Sequence, residues 1–199
     1  MTEQPLAEPS PVVLARRWWP LVVAGVLATL SIGTGAALAL VIEEERPADL
    51  SEVVVYEDLP VTHVRDPYPY AQSPPAGGPH FEVWLECGVY DSAVPDEMAV
   101  HDLEHGTFWF AYDPEELSDD EVDELAGALP GNGIMAPYPG LASPVVVTVW
   151  ERQLALDGAD DPRLPLFIDE FAGGTTAPEP MASCAGGVTE DELRGVQPS

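Results

Sequence analysis

The sequence predicts an α+β or α/β sandwich, rich in loops and built on a mixed sheet, that follows one transmembrane helix. Short apolar runs typical of strands alternate with short amphipathic helical patterns after residue 48, as in two-layer folds. A long uncharged run precedes them, and the 22 Pro and 17 Gly residues predict many loops. A length of 199 residues suits one domain plus an anchor, because domains cluster at about 100 to 150 residues.

The first predicted element is a transmembrane helix over residues 18–42, WWPLVVAGVLATLSIGTGAALALVI. An uncharged helix of this length can cross a hydrocarbon core of about 30 Å. Arg16 and Arg17 precede it, whereas three glutamates at 43–45 follow it. Because Arg and Lys beside a membrane helix favour the cytoplasmic side, we expect a single-pass protein of the cell membrane with a cytoplasmic N-terminus.

This orientation divides the chain into a cytoplasmic segment (1–17), the membrane helix and an extracytoplasmic part. The latter begins with a strand and a Pro-rich linker or loop (43–79), much of it belonging to the domain. The globular domain proper spans 80–190, and 191–199 form a tail. The small residues Ala36–Ala39 leave open the alternative of a cleavable signal peptide.

Alternation and capping patterns place the first elements of the domain. Ala48–Glu57 is predicted as a strand. Phe81–Tyr90 is predicted as a half-buried strand, with Val83 and Cys87 on its inward face. A helix over Pro95–His105 is indicated by Pro in the first turn, acidic residues at the N-terminal end and a following Gly.

The second half of the domain continues this pattern. Thr107–Tyr112 is an aromatic run that predicts a strand, and Ser118–Leu129 predicts a helix with Ser118 as its N-cap. Val145–Trp150 predicts a buried strand, and Arg163–Phe171 a short helix. The residues after Gly173 are small and polar, which indicates a closing segment or a mobile tail.

The charge of the chain is strongly one-sided: seven Arg and no Lys stand against 35 Asp plus Glu, for a net charge of −28. A surface of this kind repels nucleic acid and attracts cations or basic proteins. The sequence also contains no P-loop, dinucleotide fingerprint or Gly-x-Ser-x-Gly elbow. We therefore expect neither a nucleic-acid partner nor a nucleotide or organic cofactor.

The richest segment for chemistry lies on the helix predicted over 95–105. Met98, His101 and His105 have the spacing that places them on one helical face. Paired imidazoles at i and i+4 can chelate Zn, Cu or Ni, and a thioether favours Cu(I). His80 follows a Gly-Gly-Pro turn and is the candidate for a further ligand.

The carboxylates of Glu97 and Glu104 are candidates to orient these imidazoles from outside the metal shell. The string from His101 to His105 also matches H-x-x-E-H, in which two His bind zinc and Glu104 would be the catalytic base. This zinc hydrolase is a lesser alternative, because the helix ends at once and no third carboxylate ligand follows. Histidines that serve only the fold are a further alternative.

The only two cysteines, Cys87 and Cys184, both follow the predicted membrane helix, where the surroundings are oxidising. We expect them to form a disulfide. The alternative is that their thiolates join the histidines in a mixed zinc site. No Cys-x-x-Cys motif is present, so a thioredoxin-like redox centre is not expected.

Six short motifs occur in a fixed order over about residues 50–190. They are GGPH (77–80), CGVYD (87–91), AVHDLEHG (99–106), PYPGL (137–141), PVVVTVWERQL (144–154) and CAGG (184–187). In this order the chain resembles the domain-of-unknown-function 3105 family. The resemblance implies a membrane-anchored bacterial domain and adds weight to a site at the His and Cys positions, without implying a reaction. Asp102 and Thr107 depart from the expected Ser and Ala.

These observations together predict an extracytoplasmic domain that binds a transition metal through His80, His101, His105 and Met98. Copper is favoured and zinc is the alternative, since the Irving–Williams order places Cu(II) highest. We expect a binding protein rather than an enzyme. The competing prediction is a metal-free module whose acidic surface binds a basic protein partner.

Overall fold

The computed structural model of the chain describes residues 48–196. Their centre is a six-stranded mixed sheet. The strands are β1 (Val54–Val55), β2 (Gly88–Val89), β3 (Phe108–Tyr112), β4 (Gly133–Pro137), β5 (Val145–Val149) and β6 (Arg152–Leu156). Their order in the sheet is β1-β6-β5-β3-β4-β2. Strands β3 and β4 are parallel, and so are β4 and β2, whereas the other neighbours are antiparallel.

Residues 48–196 also form four helices: α1 (Asp96–Glu104), α2 (Asp119–Ala128), α3 (Arg163–Phe171) and α4 (Glu190–Val196). The starts of the helices follow local chemistry. At α2, for example, the Glu121 carboxylate accepts a hydrogen bond from the Ser118 N–H at 2.8 Å, and the Ser118 side chain accepts one from the Glu121 N–H. Such a reciprocal cap satisfies donors that the first turn of a helix leaves free.

An apolar layer covers each face of the sheet, so the central strands β3, β4 and β5 are buried throughout. In β3, Phe110 packs with Leu125 of α2 and Phe167 of α3. The preceding residue of β3, Trp109, packs with Leu103 of α1 in the second layer. This alternation is the period of two expected of a strand, and it confirms the predicted α+β fold with a mixed sheet.

The predicted helices agree with α1, α2 and α3 to within a residue or so at each end, but the strand predicted over Phe81–Tyr90 is wrong for most of its length. Only β2 at its end pairs with the sheet. Upstream, the Leu85 N–H donates to the Asp102 carboxylate at 2.9 Å instead of to a strand. Val83, which was predicted to face inward, is 47% exposed.

Two further differences concern strand boundaries. The strand predicted over Ala48–Glu57 is reduced to the two residues of β1. The predicted strand at Val145–Trp150 is one arm of a hairpin whose second arm, β6, was not predicted, and β4 was also missed. The hairpin turn has Glu151 at φ 62°. Gly or Asn usually occupies this conformation, so the sequence carries no clear turn signal here.

Cys87 and Cys184 form a disulfide with a Cα–Cα distance of 4.9 Å, as predicted. The chain around Cys184 belongs to what we call the closing segment, residues 174–188. Near its end, the Val188 N–H donates to the Trp84 carbonyl at 2.8 Å. A Cβ at Gly187 would lie 2.3 Å from the Leu85 backbone, so only glycine permits this approach.

No helix within residues 48–196 is both long and apolar enough to cross a membrane. The transmembrane helix predicted over 18–42 and the cytoplasmic segment predicted over 1–17 lie outside the described residues.

Candidate metal centre

Two parts of the chain meet where the C-terminal half of α1 faces a Pro-rich loop. His101 and Glu104 lie three positions apart on α1 and share a helical face. The loop contributes His63 and His80, which form an isolated parallel bridge. This bridge is fixed by a 2.7 Å hydrogen bond from the Val64 N–H to the His80 carbonyl.

His63, His80, His101 and Glu104 each offer one ligand atom, and these atoms all lie within 4.8 Å of one another. We call these four residues the inner group. His80, His101 and Glu104 are buried, whereas His63 is exposed. The imidazole centroids of His63, His80 and His101 are 5.0 to 5.4 Å apart.

Hydrogen bonding fixes the tautomer of His80. Its Nδ1 lies 2.8 Å from the Gly78 carbonyl oxygen, which can only accept, so Nδ1 carries the hydrogen. Nε2 is 2.9 Å from Oε2 of Glu104. In a neutral imidazole this contact sets a nitrogen lone pair against a carboxylate. It is stable only with a positive charge between the two atoms, either a proton or a metal ion.

His101 has the same arrangement, because its Nδ1 donates to the Phe81 carbonyl at 2.6 Å. Burial, together with the nearby imidazoles of His105, His80 and His63, lowers the pKa of His101 to about 4, against the raising effect of that hydrogen bond. The ring is therefore neutral near pH 7. Its Nε2 presents a lone pair, the form in which histidine binds metals.

His105 lies beside the inner group without belonging to it. Its Nε2 is 3.1 Å from Nε2 of His101 and 3.8 Å from Oε2 of Glu179. Its Nδ1 is buried and has no hydrogen-bond partner among the described residues. The indole of Trp84 contacts the rings of both His101 and His105, with centroids 5.4 and 5.1 Å away.

The sequence found part of this site. The structure brings the predicted ligands His80 and His101 together, but it places Met98 in the apolar layer between α1 and the sheet. Glu104, predicted as an outer partner, contacts His80 directly. His63 was missed, since it stands in an irregular loop with no motif around it.

The structure also decides between the alternatives for the cysteines. Cys87 and Cys184 are joined to each other, so neither has a thiolate to offer to a metal. A mixed Cys and His site is therefore excluded in this structure. Glu97, the other predicted outer partner, accepts a hydrogen bond from the Tyr68 N–H at 2.6 Å and is not part of the inner group.

The donor set of the inner group suits a transition metal. Three imidazoles and one carboxylate are typical ligands of Zn, Cu and Fe, whereas Mg and Ca prefer oxygen alone. Four ligands at about 2.0–2.1 Å from a tetrahedral ion lie roughly 3.4 Å apart. Starting from a spread of up to 4.8 Å, binding requires side-chain movements on the order of 1 Å.

No curated protein and no solved structure matches the chain significantly. The family described as "protein of unknown function (DUF3105)" matches residues 63–186. This range is more than half of the chain, and it contains the whole inner group, His105 and both cysteines. The chain therefore belongs to the DUF3105 family.

Proposed function

We propose that this domain binds one divalent transition-metal ion through the inner group. The observation that carries the proposal is the contact between His80 Nε2 and Glu104 Oε2, at 2.9 Å. The Gly78 carbonyl holds the hydrogen on the opposite nitrogen, so a neutral His80 directs its lone pair at the carboxylate. A metal ion bound by both atoms removes this repulsion and draws in the lone pairs of His101 and His63.

Within this proposal, Cu(II) is the favoured ion and Zn(II) the alternative. Nitrogen and oxygen ligands bind Cu(II) more tightly than its first-row neighbours, in the Irving–Williams order. The case for Cu(I) relied on a thioether, and Met98 is packed in the apolar layer instead. The preference for Cu(II) over Zn(II) therefore depends on the higher affinity of nitrogen and oxygen ligands for Cu(II), and not on a thioether ligand.

We also propose that the metal is held at the outer surface of a membrane. The support is the uncharged run over 18–42, with two Arg before it and three Glu after it. A domain so anchored would bind or sense metal near the lipid surface. Protease added to intact cells should digest the domain, and protection until lysis would overturn this orientation.

Calorimetric titration of the purified chain with Cu(II) and Zn(II) tests the metal proposal. We expect about one equivalent to bind. Glu104→Gln should weaken binding by more than about ten-fold, since it removes the only carboxylate in the group. The apo variant should keep its stability, because the new amide can donate to His80 Nε2.

Glu97→Gln is the matched control, since it changes another buried carboxylate of α1 outside the inner group. It should leave metal affinity unchanged. The opposite pattern, with no metal uptake by the unmodified chain and an apo Glu104→Gln protein that is strongly destabilised, would mean that a proton holds His80 and Glu104 together. The two residues would then be a buried ion pair of the fold.

A further inference from the structure

The C-terminal end of α1 is covered by the closing segment, which holds Glu179 beside His105. The Glu179 N–H donates to the Glu104 carbonyl at 2.9 Å. Gly106, at φ +77°, allows close contact here, because a Cβ would lie 2.9 Å from the Gly174 Cα. The backbone at Glu179 is therefore fixed over the last turn of α1, with its carboxylate 3.8 Å from His105 Nε2.

The imidazoles of the site differ in how firmly they are held. His80 and His101 donate Nδ1–H to backbone carbonyls, which orients each ring as in established metal sites. His105 has no such partner among the described residues, although its side chain is only 8% exposed. It is thus a buried imidazole close to a ligand nitrogen, without the support that a permanent ligand usually has.

His101 lies between the inner group and His105. Its hydrogen-bonded Nδ1 leaves one lone pair, on Nε2, for a metal ion. His101 offers one ligand atom within 4.8 Å of the other inner ligand atoms, and its Nε2 is 3.1 Å from His105 Nε2, close to the roughly 3.4 Å between ligands of one tetrahedral ion. A metal ion bound by His101 can therefore lie toward the inner group or toward His105.

We propose that His105 and Glu179 form an outer metal position, which shares His101 Nε2 with the inner group and passes the ion between it and solvent. This inference rests on the proposed metal binding. Exposure falls along the path, from Glu179 at 62% to His105 at 8%. The ion exchanges ligands one at a time and keeps its oxidation state.

A second route exists in principle, because His63 of the inner group is itself exposed. The two routes predict different kinetics. If the ion passes His105 and Glu179, changing these residues slows its entry and its release together. A residue that only carries the ion does not alter the equilibrium, so the dissociation constant remains the same.

Stopped-flow fluorescence of the full chain with Cu(II) measures entry, since Trp84 contacts both His101 and His105. Release is measured by adding EDTA. The variants are His105→Phe, which keeps a ring without a nitrogen, and Glu179→Gln, which alters an exposed side chain with little risk to folding. Glu170→Gln, an exposed change on α3, controls for the loss of one negative charge.

We expect both variants to slow entry and release by about ten-fold, with an unchanged dissociation constant, and Glu170→Gln to have no effect. Unchanged rates in Glu179→Gln would overturn the proposal and assign entry to the His63 side. Weaker equilibrium binding in His105→Phe, through faster release alone, would overturn it by making His105 a permanent ligand. Failure of the unmodified chain to bind metal would instead refute the proposed function itself.

Discussion

The disulfide between Cys87 and Cys184 should be the largest single contribution to the stability of the domain. The two cysteines are separated by 97 positions, so the bond closes most of the domain into one loop. The chain-entropy relation values a loop of this length at about 4.7 kcal/mol at 25 °C. The bond lowers the conformational entropy of the unfolded chain, so its removal raises that entropy and destabilises the folded state.

Urea denaturation with and without a phosphine reductant measures this contribution. Reduction should lower the free energy of unfolding by about 4.7 kcal/mol. It should also lower the melting temperature by roughly 10 to 20 °C, at the usual 2–4 °C per kcal/mol for a domain of this size. The m-value should rise, because the reduced unfolded chain is more expanded.

A chain carrying Cys87→Ser and Cys184→Ser is the control, and the reductant should not alter its melting. The outcome that would contradict the argument is a loss below about 1 kcal/mol on reduction. That result would mean that the unfolded chain keeps the two regions together without the bond. Free thiols in the native protein, measured by alkylation, would contradict the pairing itself.

Two further predictions concern α1. Gly106→Ala should destabilise the domain more than Gly173→Ala in urea denaturation: both positions have positive φ, at a cost of about 1–2 kcal/mol, but only at Gly106 would the new Cβ meet backbone, at 2.9 Å. Burial raises the pKa of Asp96 to about 6, against the hydrogen bond from Tyr138 and with help from Glu97. A folded-state pKa above the unfolded value of 3.8 means that the stability due to Asp96 is full below that pH and is lost as pH rises toward 6. Asp96→Asn should flatten the stability profile in this window, and an unchanged profile would contradict the assignment.

The sequence predicted α1, α2 and α3 well because their ends carry local signals, whereas α4 was missed and lies where a tail was expected. Ser118 and Glu121 form the reciprocal cap of α2, and Gly106 follows the end of α1 in the left-handed conformation. The buried runs of β3 and β5 were equally clear. Strands whose partners are distant were harder, because pairing of β4 with β3 depends on contacts that no local pattern contains.

The same limit applies to the site. His101 and His80 were predicted as ligands because they lie on a helix and at a tight turn, where spacing carries information. His63 joins them only through a bridge between two irregular stretches of chain. Met98 was expected on the same helical face as His101, but its thioether packs in the apolar layer between α1 and the sheet.

The position of the closing segment sets an order of events during biosynthesis. Every member of the inner group precedes residue 105, whereas the closing segment begins at 174. A chain emerging from the ribosome therefore presents all four ligands well before Val188 can pair with Trp84. The backbone carbonyl of Trp84, whose indole lies beside the histidines, gains this hydrogen bond only after Val188 has been synthesised, so the closing segment joins the site after all four ligands have been made.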